Sequence, residues 1–239
     1  MRKFGFTLAE ILITLGVIGV VAALTFPSFN HKYRSMVLQK QLLKSYSNLQ
    51  QTILYMKKDL GIDNLMGEFV HYDAESGRYT DTELFYNEFD KYMKVVHKLN
   101  SSYPITNYSG TTTTTTSYGR DLPQAPLILA DGSSVGRQIN NHRLIFFIDV
   151  NGPYKRPNRL GFDTFEFVIS DSSDFVKPGK KVRNYTEEEL KDMVFPETAG
   201  WPCSKASNQL YNGMGCAWFA INDVNPDDST KKYWNNLPW

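Results

Sequence analysis

The chain opens with a short basic leader and then an apolar run long enough to cross a membrane. Residues 6–26 are almost all apolar or small, and Glu10 is the only charged residue among them. A helix of this length spans about 30 Å, which matches the hydrocarbon core of a bilayer. Thr25, Phe26 and Pro27 end the run without the small-residue cleavage site of a secretory signal. We therefore expect a retained membrane helix.

The charges around this helix predict its orientation. Arg2 and Lys3 precede it, and positive flanking charge stays on the cytoplasmic side of a membrane. The sequence predicts a single pass through the inner (cytoplasmic) membrane, with everything after Pro27 on the extracytoplasmic side.

Glu10 is unusual because it places a carboxylate inside the apolar run. At the centre of a membrane helix such a group costs about 3 kcal/mol on insertion scales. Glu10 lies one turn into the run, which reduces that penalty. Two explanations stay open: the side chain reaches back to the interface, or it meets a partner charge within the membrane.

The segment Gly5-Phe6-Thr7-Leu8-Ala9-Glu10, followed by an apolar helix, resembles the class III signal of type IV prepilins and type II secretion pseudopilins. The resemblance covers the basic leader and the apolar helix and is weak in the rest of the chain. It implies that a prepilin peptidase cleaves after Gly5 and methylates the new amino group of Phe6. It also implies that Glu10 meets the N-terminal ammonium of a neighbouring subunit, which is the partner that a buried charge requires.

Three segments follow from this interpretation: a leader (1–5), a transmembrane and stalk helix (6–60) and an extracytoplasmic head (61–239). Apolar residues with helical spacing continue beyond the membrane, and Gly61 is a plausible stop for the helix. We expect one face of the stalk to pack against the head, made of Phe29, Tyr33, Met36, Leu42, Tyr46, Leu49, Ile53, Met56 and Leu60.

The head is predicted to be α+β, as the pilin-like resemblance also implies. A capping pattern at Thr80 indicates a helix to about Leu99, and a second at Thr186 indicates a short helix to Met193. The threonine run 111–116 is predicted to be an exposed loop. Strand patterns predict an antiparallel sheet of at least four strands, at 127–129, around Val135, at 144–150 and at 162–170, with turns at 130–132 and 151–152. One apolar face of this sheet should lie over the stalk.

Cys203 and Cys216 are the only cysteines. In an oxidising compartment we expect a disulfide that closes a short loop, and the alternative is a pair of free thiols. The spacing excludes a CxxC metal or redox site, and no histidine lies near with ligand spacing.

Composition and motifs favour a structural role. The formal net charge is +1, which does not indicate a nucleic-acid partner. The histidines are scattered, and no motif of a known enzyme class is present, so we predict that the chain is not an enzyme. The leading hypothesis is a pilin or pseudopilin of a type IV pilus or a type II secretion-like fibre, at the cell surface or in the periplasm. Its partners would be prepilin peptidase, the membrane and other subunits, in a homo- or hetero-polymer.

The alternative is a membrane-anchored extracytoplasmic binding protein or enzyme that does not polymerise. Close helix packing in lipid favours small residues, which the sequence supplies at Gly16, Gly19, Ala22 and Ala23.

A calcium site is predicted at Asp149, Asn151 and Asp163, because these hard oxygen ligands border one turn-rich loop. The arrangement resembles the calcium-bearing loops of some pseudopilin heads. Against it, Lys155, Arg156 and Arg159 lie within the loop and would repel a cation. The alternative is that both aspartates accept hydrogen bonds from loop amides or pair with those basic side chains.

Overall fold

The computed structural model describes residues 5, 7–80, 82–101, 103–115, 126–140, 143–170, 173–180 and 201–239. The chain is an α+β protein with a long N-terminal helix. The described helices are α1 (Leu8–Leu60), α2 (Leu65–Phe69), α3 (Thr82–Tyr92) and α4 (Ala217–Asn222), with a 3₁₀ turn at Met214–Cys216. The described strands are β1 (His71–Asp73), β2 (Arg78–Thr80), β3 (Val95–Lys98), β4 (Pro104–Thr106), β5 (Thr113–Thr115), β6 (Leu127–Leu129), β7 (Ser134–Asn140), β8 (Arg143–Asp149), β9 (Thr164–Ser170) and β10 (Ser173–Pro178).

Helix α1 runs without interruption for 53 residues, about 80 Å at 1.5 Å per residue. It ends where the sequence predicts. Gly61 adopts a left-handed conformation with φ of 67°, and its N–H donates to the carbonyl oxygens of Lys57 and Lys58. Both lysines also place positive charge at the negative end of the helix dipole. The N-terminal part of α1 is long and apolar enough to span a membrane, and the head leaves it uncovered.

The face of α1 that packs against the head begins at Ser35 and differs in part from the prediction. Phe29, Tyr33 and Met36 are exposed. Six positions of helix turn the side-chain direction by about 600°, so Leu42 lies about 120° around the helix from Met36. The predicted single face was therefore wrong, because one helix side cannot hold both sets. The buried face consists of Ser35, Leu38, Leu42, Ser45, Leu49, Thr52, Ile53 and Met56.

The head contains a six-stranded antiparallel sheet in the order β10-β9-β8-β7-β6-β3. The predicted hairpin turn between β6 and β7 is confirmed, since Gly132 N–H donates to Leu129 O and Leu129 N–H donates to Ser133 O. The longest strands, β7, β8 and β9, form the centre in continuous register.

Both faces of the central strands are buried, whereas the sequence predicts one covered face. One face points toward α1 and α3, and its side chains include Leu144, Phe146 and Phe167. They pack in the main core with Phe85 and Phe89 of α3. The opposite face forms a smaller core with β4, the loop before β9 and the C-terminal segment; its members are Ile105, Ile145, Phe147, Leu160, Val168 and Met214. Trp201, Tyr211 and Met214 therefore form a third layer over this face, while the rest of the C-terminal segment, including α4 and Tyr233, belongs to the main core.

Two segments form a different type of secondary structure from the one predicted. The helix expected to reach Leu99 ends at Tyr92, and Val95–Lys98 instead forms the edge strand β3 beside β6. Within the threonine run, Thr113–Thr115 forms strand β5, which pairs with β4. The short helix predicted at 186–193 lies outside the described residues.

Candidate functional site

The start of α1 is organised by reciprocal hydrogen bonds between Thr7 and Glu10. Glu10 N–H donates to Thr7 Oγ1 at 3.2 Å, while Thr7 N–H donates to Glu10 Oε2 at 2.8 Å. Thr7 Oγ1 also donates to Glu10 Oε2 at 2.8 Å. This capping box satisfies backbone N–H groups that the first helical turn leaves without a partner.

The capping box gives Glu10 a role that is not among those predicted from the sequence. The sequence does contain the capping-box pattern, because Thr7 and Glu10 lie three residues apart just ahead of an apolar run. The carboxylate also lies at the positive end of the helix dipole. Gly5 is exposed just before this cap, and Phe6 lies outside the described residues.

The surface of α1 after the cap is apolar and has room for close contacts. A Cβ atom built on Gly16 or Gly19 meets no other atom within 4 Å among the described residues. The large apolar side chains around them are exposed in the isolated chain, for example Leu12 and Val20. Small residues next to such side chains allow another helix to approach closely in lipid.

Beyond the apolar run, α1 has a second apolar face that the head does not cover. It points away from the buried face, because helical positions repeat every 3.6 residues. Its exposed members are Phe29, Tyr33, Met36, Val37, Leu43 and Leu54. We call this set the outer face of α1. Lys40 and Ser47 lie among these positions, so the face contains polar as well as apolar side chains.

The structure brings Asp149, Asn151 and Asp163 together, as the sequence predicts. Asp149 ends β8 and Asp163 precedes β9, so the antiparallel pairing of these strands places the two carboxylates side by side. The carboxamide of Asn151 lies between them. Its nitrogen, in the orientation that satisfies both partners, donates to Asp149 Oδ1 at 2.8 Å and to Asp163 Oδ2 at 3.3 Å.

Loop groups also hydrogen-bond both carboxylates. Asp149 accepts from Gly152 N–H at 2.8 Å and from the hydroxyl of Tyr103 at 3.0 Å. Asp163 accepts from the N–H groups of Asn158 and Arg159 at 2.8 and 2.6 Å. These are the amide contacts that the alternative to a calcium site requires.

The two carboxylates share a buried site, and burial is the main influence on their protonation. It raises the pKa of Asp163 to about 6, although hydrogen bonds from Arg159 and Asn158 oppose that shift. Burial and then the charge of Asp163 raise the pKa of Asp149 well above its usual value. The guanidinium of Arg159 turns away from them and donates to the carbonyl oxygens of Asn107 and Tyr108.

The chemistry of these donors fits a divalent cation. If the Asn151 carboxamide rotates by half a turn, its oxygen replaces the nitrogen beside both carboxylates, so that three hard oxygens converge. A cation there would remove the repulsion between the two aspartates and would fix the loop 149–163. The described residues contain no group of three or more His, Cys, Asp or Glu side chains placed for a metal. Calcium therefore stays a prediction.

The predicted disulfide is confirmed. Cys203 and Cys216 are bonded, with Cα atoms 5.1 Å apart and a sequence separation of 13, and both are buried. The bond closes the segment that covers the second face of the sheet. It links Pro202-Cys203 to the 3₁₀ turn that precedes α4.

The described histidines lie on separate elements. His31 stacks on Trp239, and His71 Nε2 lies 2.8 Å from Gly67 O. His97 is on the edge strand β3, while His142 lies outside the described residues.

A cavity of about 450 Å³ between α1, the end of α3 and the β6–β7 turn is bordered by the ion pair of Lys44 and Asp131. The absence of catalytic function stays a prediction.

The chain was compared with protein-family models, with curated proteins and with solved structures, and none of them matches.

Proposed function

We propose that this protein is a pilin or pseudopilin, a structural subunit of a type IV pilus or a type II secretion-like fibre. In this proposal, prepilin peptidase cleaves it after Gly5 and methylates Phe6, and the head lies outside the cytoplasmic membrane. The processed chain then joins other subunits through α1. Its role is mechanical, since growth of a fibre pushes material outward or presents the heads at the surface.

The observation that carries the proposal is the outer face of α1. A helix that only anchors and supports one head needs a single apolar face outside the membrane, and Leu42, Leu49 and Met56 supply it. The outer face is additional, with Phe29 71% and Met36 50% exposed. Exposed apolar side chains grouped on one helix face are typical of a site of protein association, and here Lys40 and Ser47 lie among them. Packing of neighbouring α1 helices would cover it.

The membrane part of α1 supports the same mode of assembly. Gly16 and Gly19 leave open space on the helix surface, and small residues favour helix association in lipid. Glu10 retains one carboxylate oxygen beyond its capping bonds, which use Oε2. That oxygen is suited to accept a bond from the N-terminal ammonium of an adjacent processed subunit.

Processing tests this proposal directly. The protein is isolated from the membranes of cells that contain an active prepilin peptidase, and its N-terminal peptide is analysed by mass spectrometry. We expect the chain to begin at Phe6 and to carry a methyl group. A chain that keeps Met1 and its leader under these conditions would contradict assignment as a pilin and would support the alternative of a membrane anchor. Replacement of Gly5 by a bulkier residue, Gly5→Leu, should leave the leader attached and serves as the reference for unprocessed mass.

A further inference from the structure

The end of the head nearest the membrane is held against α1 by Arg34. Its guanidinium donates to Arg156 O at 2.8 Å and lies over the ring of Trp239, with its Cζ atom 5.0 Å from the ring centroid. The loop that contains Arg156 and the C-terminal Trp239 therefore meet the helix eight residues after Phe26, the last residue of the apolar run. We call these parts the base of the head: 31–37, 153–157 and Trp239.

A cleft of about 230 Å³ opens between α1 and this loop. Arg34 borders it on the helix, and Lys155 and Arg156 border it on the loop. Lys155 and Arg156 are exposed, and Arg34 is half-buried. The remaining lining side chains are polar or apolar without charge: Tyr33, Val37, Leu38, Gln41 and Asn151. The cleft is therefore cationic.

No acidic group of this loop offsets that charge at the surface. Asp149 and Asp163 are its only acidic residues. Both are buried, and their oxygens accept hydrogen bonds from within the loop. The exposed charges of the loop are those of Lys155 and Arg156, which makes the cleft complementary to an anion.

The cleft lies at the depth of lipid headgroups when α1 spans a membrane. Arg34 is about 12 Å along the helix from Phe26, and helical side chains tilt toward the N-terminus, which here is toward the membrane. The headgroup layer extends about 6 Å beyond the hydrocarbon core. The distance that remains between the headgroup layer and the Arg34 backbone is shorter than an extended arginine side chain. It also lies within the distance of about 8 Å over which charges still interact at physiological salt.

Tyr33 lines the same cleft, and other exposed aromatic side chains lie next to its basic residues in sequence or in space. Tyr154 is 80% and Trp239 39% exposed, and Phe29 and Tyr33 are exposed on the helix beside them. Aromatic side chains concentrate at the boundary between hydrocarbon and water, because they combine an apolar ring with a polar edge. Basic and aromatic groups together at this depth favour a lipid surface.

We propose that this cleft binds the phosphate of an anionic phospholipid in the leaflet from which α1 emerges. The planar guanidinium groups of Arg34 and Arg156 present paired N–H donors that match phosphate oxygens, and Lys155 adds a third positive charge. Binding fixes the head in one orientation above the membrane before any assembly. The inference needs only membrane insertion of α1, so its failure would leave the proposed fibre subunit untouched.

The test uses the full-length protein in dodecyl maltoside micelles and native mass spectrometry. Dioleoyl phosphatidylglycerol is compared with dioleoyl phosphatidylcholine, which has the same chains and no net charge. We expect the wild type to retain phosphatidylglycerol at least fivefold more tightly. The variant K155Q/R156Q should bind both lipids equally, whereas the control K58Q/K94Q, which removes the same charge far from the membrane, should keep the preference. All four positions are exposed, and matching melting temperatures verify that each variant is folded.

Equal retention of both lipids by the wild type, or an unchanged preference in K155Q/R156Q, would overturn the proposal. Displacement of phosphatidylglycerol by equimolar inorganic phosphate would also overturn it, because the cleft would then be a site for a free anion. The second of these outcomes, an unchanged preference, has a specific form: K155Q/R156Q keeps its lipid preference and also loses cross-links to other subunits in cells. That result would assign the cleft to an acidic surface of a neighbouring subunit.

Discussion

At the scale of single residues, Glu10 has one role that the structure shows, the capping box, and one that is proposed, the contact with a neighbouring subunit. The capping box explains why a carboxylate can begin a membrane helix, since it bonds the N–H and the hydroxyl of Thr7. It does not require a charge, because a glutamine at this position also completes a capping box. A contact with the ammonium group of a neighbouring subunit does require the charge.

Glu10→Gln should therefore keep the helix cap and lose assembly. We expect normal insertion and cleavage after Gly5, with at least a tenfold decrease in fibre incorporation measured on sheared and sedimented material. Thr7→Ala is the matched control, because it removes the cap while the carboxylate of Glu10 remains. The control should reduce incorporation far less. If both variants lose assembly equally, the cap rather than the charge is the function of Glu10.

The buried pair of Asp149 and Asp163 gives a prediction about calcium. In the full-length protein freed of metal with a chelator, calcium should bind with a Kd of about 10⁻⁴ to 10⁻³ M, the range of extracellular sites. At 100 times Kd, binding adds about 2.7 kcal/mol to the free energy of unfolding, which appears as a higher melting temperature. Binding should weaken below about pH 6, where Asp163 gains a proton.

Isothermal calorimetry and thermal melts with calcium, and with magnesium for comparison, check this prediction. The double variant Asp149→Ala/Asp163→Ala, which removes both carboxylates, should show neither binding heat nor a calcium-dependent shift. Absence of both signals in the wild type would mean that the loop is held by its amide hydrogen bonds alone.

At the scale of secondary-structure elements, strand β9 differs from the pattern that its sequence suggests. The alternation of Phe165, Phe167 and Ile169 with Glu166 and Val168 predicts one covered and one solvated face. Both faces are buried, because the disulfide-closed C-terminal segment covers the second one. A distant segment that folds over a sheet leaves no local signal in the strand, so this third layer could not be predicted.

Burial of Glu166 makes folding sensitive to pH. Desolvation raises the pKa of this carboxyl to about 8, and the charge of Arg143 opposes the shift only partly. The folded state therefore holds this proton more tightly than the unfolded chain, whose pKa is near 4.5. The contribution of Glu166 to stability is complete below about pH 4.5 and is lost as the pH rises to about 8. Between pH 5 and pH 8 the loss amounts to about 3 kcal/mol.

Glu166→Gln should remove this dependence, because the side chain keeps its shape and cannot ionise. We expect the variant to melt close to the wild type at pH 5 and well above it at pH 8.5, as followed by circular dichroism of the full-length protein in micelles. The exposed Glu83→Gln should change neither value. A melting-temperature difference between E166Q and the wild type that stays constant with pH would contradict the buried ionisation.

The boundaries between elements show which signals the sequence carries. Gly61 ends α1 as predicted, because a left-handed cap is a local feature. Val95–Lys98 continues the apolar spacing of α3, which predicts a helix, but it pairs with β6 instead. Valine at positions 95 and 96 favours a strand, and the pairing partner lies about thirty residues away, beyond the reach of a helical pattern. The cluster of Asp149, Asn151 and Asp163 was predictable because adjacent strand ends bring these residues together.

At the scale of the whole molecule, α1 joins three surfaces in one continuous helix. Its first turns are long and apolar enough to span a membrane, its buried face lies in the core of the head, and its outer face is exposed. In the proposed fibre, a neighbouring subunit would cover the outer face, which the head leaves exposed in the isolated chain. The outer face and the apolar run lie on one continuous helix. In the proposed fibre, neighbouring helices could therefore pack along both without any change in the fold of α1.

Photo-cross-linking tests this arrangement in cells. A benzoylphenylalanine placed at Met36 on the outer face should form adducts one subunit larger than the protein, because a neighbouring helix covers this position after assembly. The control position is Tyr72 on β1, which is equally exposed at 50% and lies off the outer face. We expect at least a fivefold higher yield at position 36, and we expect Glu10→Gln to abolish it while leaving the yield at position 72 unchanged. Equal yields at the two positions would mean that the outer face has no specific neighbour, and the chain would then act as a membrane-anchored monomer.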